Sequence, residues 1–183
     1  GACPFPGVSI GERANKQQMK MRLTFYKIGM VAVALTVVSC GGFNKLRKSN
    51  NPEMKYQKAL EYFNKGKYNK AAILLQDISG IYGGSTKGDT IAYYYGASMY
   101  KEGDFEGSGA VFDEFRRYYP RSPFLEDAEY MYAKGIYYTS PRPERDQSNT
   151  LRAIMAISEY LNRYPESTKK EALEDNLKEL HQI

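Results

Sequence analysis

The chain has 183 residues and a formal net charge of +5, which is room for one domain of ordinary size. Of its 26 Lys and Arg, five (Arg13, Lys16, Lys20, Arg22, Lys27) lie in residues 1–39 against the single acid Glu12, so 21 bases face 20 acids over the rest. That balance leaves no electrostatic footprint for nucleic acid. Two cysteines, Cys3 and Cys40, supply neither a disulfide framework nor a zinc site, and His181 is the only histidine. No catalytic set, metal site or cofactor is therefore expected.

Residues 1–18 are polar and aperiodic, and are read as an upstream or non-native segment ahead of a start at Met19 or Met21. Residues 19–39 then carry Lys20, Arg22 and Lys27 before the uncharged eleven-residue run Ile28–Val38. A basic flank and a short apolar run are the two parts of a secretory signal, and about 20 apolar residues would be needed to span a bilayer. The end of the run, Val37-Val38-Ser39-Cys40, resembles the bacterial lipobox, which implies a covalent lipid on Cys40 and a mature chain that starts there. Residues 40–51 then read as a polar, basic tether, of which 41–50 would reach roughly 30 to 35 Å at full stretch.

From Tyr56 onward the sequence repeats itself. A shift of 37 residues places Tyr56 on Tyr93, Ala59 on Gly96, Phe63 on Tyr100, Gly66 on Gly103, Ala71 on Ser108, Leu75 on Phe112, Ile78 on Phe115 and Ser85 on Ser122. A second shift of 37 carries Tyr93, Gly96 and Tyr100 onto Tyr130, Ala133 and Tyr137. The match resumes at a shift of 45, with Ser108 on Ala153, Phe112 on Ile157, Phe115 on Tyr160, Pro120 on Pro165 and Ser122 on Ser167, so the third copy holds an eight-residue insertion. The repeats are placed at about 52–88, 89–125 and 126–168, with a partial fourth at 169–183.

Each copy is predicted to be two helices. Tyr56, Ala59, Leu60 and Phe63 share one helical face, as do Ala71, Leu74, Leu75 and Ile78. Gly66 and Gly103 mark the turns between paired helices. Asn51-Pro52 and Ser122-Pro123 read as an N-cap followed by proline at the first helical position, and Thr168 with Glu171 as a capping box. No period-two run of β-branched residues is present, so the fold class is all-α, a helical-repeat solenoid over 52–183.

The pattern resembles the tetratricopeptide repeat, with Gly96, Gly103, Phe105, Phe112 and Pro120 of the second copy fitting best and Ser108 standing where alanine is usual. Together with the lipobox, the run Tyr130-Met131-Tyr132-Ala133-Lys134-Gly135, the paired RYYPRS (117–122) and RYPES (163–167), and the insertion with Arg145, Asp146 and Gln147, it resembles the YfiO (BamD) family of outer-membrane assembly lipoproteins. That resemblance implies a lipid-anchored protein on the periplasmic face of the outer membrane. It also implies partners: the barrel subunit BamA through its POTRA modules, other subunits of the BAM machine, and unfolded β-barrel precursors. Early repeats would serve substrate recognition and later ones BamA. About five repeats are implied, so this chain is expected to be a C-terminal truncation without a polar capping helix. The alternative is another periplasmic repeat lipoprotein that binds glycan or cell-wall and division partners.

Tyrosine recurs at fixed repeat positions. The plain reading is packing between helices, with phenol rings buried. The functional reading takes Tyr56, Tyr93, Tyr94, Tyr95, Tyr100 and Tyr130 as a peptide-binding face, since rings on a rigid scaffold suit an extended apolar peptide. The acids Glu126, Asp127 and Glu129 are read as solvated residues near a helix start rather than as an acid-base pair.

Overall fold

A computed structural model describes residues 42–140 and 147–182. The signal segment, Cys40, Arg145 and Asp146 lie outside the described residues, as does the side chain of Gln147. Seven helices follow Ser49: α1 (Pro52–Asn64), α2 (Tyr68–Tyr82), α3 (Gly88–Glu102), α4 (Phe105–Tyr118), α5 (Leu125–Thr139), α6 (Gln147–Arg163) and α7 (Lys170–His181). No strand occurs among the described residues. Each helix packs chiefly on the one before and the one after it, and α1, α3, α5 and α7 also touch in succession, as in a solenoid of helix pairs. Residues 42–47, read from sequence as part of an extended tether, form a short helix instead. Phe43 to Arg47 contain no proline or β-branched residue to oppose it.

The core is built from the repeat-equivalent positions. Ala71, Ser108 and Ala153 are at most 1% exposed, as are Leu75, Phe112 and Ile157; Ile78, Phe115 and Tyr160 are at most 2% exposed. Three copies thus bury the same three rungs of the second helix against the first, and each large side chain contributes about 1.5–3 kcal/mol of transfer free energy. Opposite them, Ala59, Gly96 and Ala133 are buried too. A Cβ on Gly96 would come within 2.8 Å of the Phe112 ring and 3.1 Å of Val111, so the close approach expected at this glycine is present.

The turns divide into two kinds. Within a pair, Gly66 (φ 69°) and Gly103 (φ 86°) are left-handed, and the N–H groups of Lys67 and Asp104 reach back to the carbonyls of Tyr62 (2.8 Å) and Met99 (3.0 Å). This is the doubly bonded glycine cap of a helix C-terminus. The third pair has Ser140 (φ −68°, ψ 114°) at the equivalent place, and the chain leaves α5 extended into the insertion.

Between pairs, a serine holds the turn. Ser85, Ser122 and Ser167 each accept, at Oγ, the backbone N–H two residues on: Lys87 (3.3 Å), Phe124 (3.2 Å) and Lys169 (3.1 Å). Two expected caps are therefore displaced. Helix α5 starts at Leu125 rather than beside Ser122-Pro123, and α7 starts at Lys170 with no side-chain cap, so Thr168 and Glu171 form no capping box. A serine hydroxyl bonded to its own turn leaves the helix to start later. Asn51 does cap α1, accepting from the Met54 N–H at 2.9 Å with Pro52 following.

The ends of the array differ from its middle. Ile91 and Ser98 of α3, Ala128 and Gly135 of α5, and Leu173 and Leu180 of α7 are buried. On α1 the equivalents are Met54, 48% exposed, and Glu61, which pairs with Lys58 and Lys65 at 2.6 Å each. On α7 the positions equivalent to Tyr130, Ala133, Lys134 and Tyr137 are Asp175, Lys178, Glu179 and Gln182, all exposed. These residues stand where α1, α3 and α5 receive a partner helix.

Candidate protein-binding surface

The tyrosines form a connected chain of rings and not a uniform face. Tyr56 lies 6.4 Å from the Tyr82 ring, with the Lys87 ammonium 4.9 Å above its own. Tyr93 stacks on Phe124 (4.5 Å, 13°) and leans on Phe112 and Phe115 of the core. Tyr94 stands edge-on to Phe63 of α1 at 4.9 Å and near Phe124 at 6.0 Å, which links three successive helix pairs. Tyr100 meets Phe105 edge-on at 5.2 Å, and Tyr130 meets Tyr160 at 5.9 Å. Burial pushes the phenols of Tyr93, Tyr95 and Tyr100 above the usual tyrosine range, and it opposes the Lys87 charge at Tyr56. Tyr95 belongs with another set, because its repeat equivalent Tyr132 lines a groove between α4 and α6.

The acidic cluster is bound up in holding helix pairs together. Glu126 accepts from the Ser167 hydroxyl at 2.7 Å and the Tyr160 phenol at 3.2 Å, as Asp89 accepts from Ser122 at 2.8 Å one repeat earlier. Asp127 pairs with Lys169, and Glu129, 6% exposed, pairs with Arg163. The solvated role read from sequence is thus replaced by clamps between the two helices of a pair and the turn that follows. Among the described residues no group of three or more His, Cys, Asp and Glu is placed to hold a metal ion.

Sequence reasoning missed the groove between α4 and α6. It holds a hollow of about 450 Å³ lined by Gly109, Ala110, Asp113, Tyr132, Ile136 and Arg152 among others. Two signals pointed to it: the small residues Gly109-Ala110 on a second helix, and Met155, which stands off the buried stripe of α6 and is 70% exposed. Neither is visible to a repeat comparison, which finds what the copies share.

The family model described as YfiO, outer membrane lipoprotein, matches residues 48–183, which takes in the whole helical array. No curated protein matches the chain. The all-helical tetratricopeptide-like architecture and the matched span agree, and the chain belongs to the YfiO family of outer membrane lipoproteins.

Proposed function

We propose that the chain is a non-catalytic adaptor of the machinery that assembles β-barrel proteins in the outer membrane. In this reading a lipid on Cys40 holds it on the periplasmic face, and its helical array binds the barrel subunit BamA and unfolded barrel precursors. The observation that carries the reading is the coincidence of the family match, 48–183, with the repeat unit, Ser49–Ile183. The use of Glu126, Asp127 and Glu129 in interhelical clamps favours a binding scaffold over acid-base chemistry. No helix among the described residues is long and apolar enough to cross a membrane.

Affinity capture from detergent-solubilised envelopes, with the full chain as bait, tests the reading. BamA should co-purify in stoichiometric amount. Recovery of cell-wall or glycan-uptake proteins in its place would overturn the proposal in favour of the other kind of periplasmic repeat lipoprotein.

A further inference from the structure

The segment between Cys40 and the helical array differs from the array in charge. No acidic residue lies between Glu12 and Glu53, while Lys45, Arg47 and Lys48 fall close together in that interval. From Ser49 onward, by contrast, 18 Lys and Arg face 20 Asp and Glu. All three cations of the segment are exposed, and none pairs with a carboxylate among the described residues. The first acid beyond them, Glu53, is taken by Lys87 at 2.6 Å and by the Tyr82 hydroxyl at 3.1 Å.

The same segment has local structure. Residues 42–47 are helical, and the Lys48 N–H closes the last turn on the Asn44 carbonyl at 3.2 Å. Phe43 and Leu46 share one face and are partly buried, whereas Asn44, Lys45, Arg47 and Lys48 are exposed. So short a helix is far below the length that holds in water by itself. An apolar pair on one side with long cationic side chains around the rest is the pattern of a helix that lies in the plane of an interface.

We propose that residues 42–48 lie on an anionic phospholipid surface, with Phe43 and Leu46 at the boundary between head groups and acyl chains and Lys45, Arg47 and Lys48 on lipid phosphates. The partner follows from charge and from place. Unpaired cations with no acid among them suit a negative surface, and the lipid on Cys40, just ahead of the helix, holds the segment beside one. Each basic side chain brought near an anionic surface raises the bound population about fivefold, and the effect falls off within a Debye length of about 8 Å. The array, with its slight excess of acid, gains nothing from the same field. The lipid thus supplies attachment, and the segment supplies a preference for anionic over neutral lipid. The inference rests on the lipid anchor of the proposed function.

The chain contains no tryptophan, so Phe43→Trp places a single fluorescent reporter in the segment. The acylated full chain that carries it is reconstituted into vesicles of phosphatidylcholine, alone or mixed with phosphatidylglycerol, with lipids brominated near the head group as quenchers. With phosphatidylglycerol present, emission should shift to the blue and quenching should be about threefold stronger or more, and roughly 0.5 M salt should remove the difference. Lys45→Gln, Arg47→Gln and Lys48→Gln combined should bring quenching in the mixed vesicles down to the level in phosphatidylcholine. Far-ultraviolet circular dichroism should stay unchanged, because α1 begins beyond them at Pro52. Equal emission and quenching in the two kinds of vesicle would make the segment a tether only and overturns the inference, as does a difference that survives in the triple variant. A parent chain that takes up palmitate and gives either of those results leaves the lipid anchor standing; a parent that takes up none removes the anchor and the inference with it.

Discussion

Gly96 and Phe112 show how single residues are matched across the helix pair. Where the first and third copies oppose alanine (Ala59, Ala133) to Leu75 and Ile157, the second opposes glycine to phenylalanine, and the missing Cβ makes room for the ring. Gly96→Ala should destabilise by about 1 to 3 kcal/mol through overpacking. Combined with Phe112→Leu it should cost less than the sum of the two changes, and a double-mutant cycle from denaturant midpoints reads the difference. Additive costs would show that the two residues do not share the space. Ser108 stands where Ala71 and Ala153 stand in the other copies, and its buried hydroxyl has no hydrogen-bond partner among the described residues. Ser108→Ala should therefore raise stability by about 1 kcal/mol, read as a higher urea midpoint at unchanged slope. Both positions were legible as repeat equivalents, and Gly96 also as a close approach. The orphaned state of the Ser108 hydroxyl was not, because it depends on which groups pack around the site.

At the scale of elements, the pair α5 and α6 is held by phenols as much as by aliphatic packing. Tyr160 and Tyr164 are pushed up to about 12, first by burial and then by a neighbouring carboxylate of the clamp, Glu126 for Tyr160, where the Ser167 hydroxyl pulls the other way, and Glu129 for Tyr164. A phenol whose folded value lies above its unfolded value near 10 binds its proton more tightly in the native state. The stability it confers is thus complete below about pH 10 and is lost as pH rises toward 12. Thermal unfolding followed between pH 9 and pH 12 should show a steep fall, and Tyr160→Phe should flatten it. An equal slope in parent and variant would remove Tyr160 from the account. Helix number, pairing and the glycine turns were readable from apolar spacing and Gly66/Gly103. The serine turns were not, because a Ser-Pro or Thr-x-x-Glu string is an equally good cap in isolation. What decides between them is the tertiary bond from Ser122 to Asp89 or from Ser167 to Glu126, made across more than thirty residues.

For the whole molecule, the proposed attachment runs through a lipid on Cys40, which closes the apolar run Ile28–Val38 and its lipobox-like end. Cys40→Ser should leave the chain unacylated and release it from the outer-membrane fraction, since an eleven-residue apolar run is too short to anchor it. Palmitate incorporation at the parent level would contradict that assignment. The family was legible in the repeat and its motifs, whereas the α4–α6 groove was not, since it is built from the positions at which the copies differ. The measurement that bears most directly on an assembly adaptor is depletion of the protein in its own cell, with outer-membrane barrels scored by their heat-modifiable mobility in gels. The account predicts that unfolded barrel precursors accumulate while lipoproteins still reach the outer membrane; barrels that continue to fold at the normal rate after depletion would contradict it.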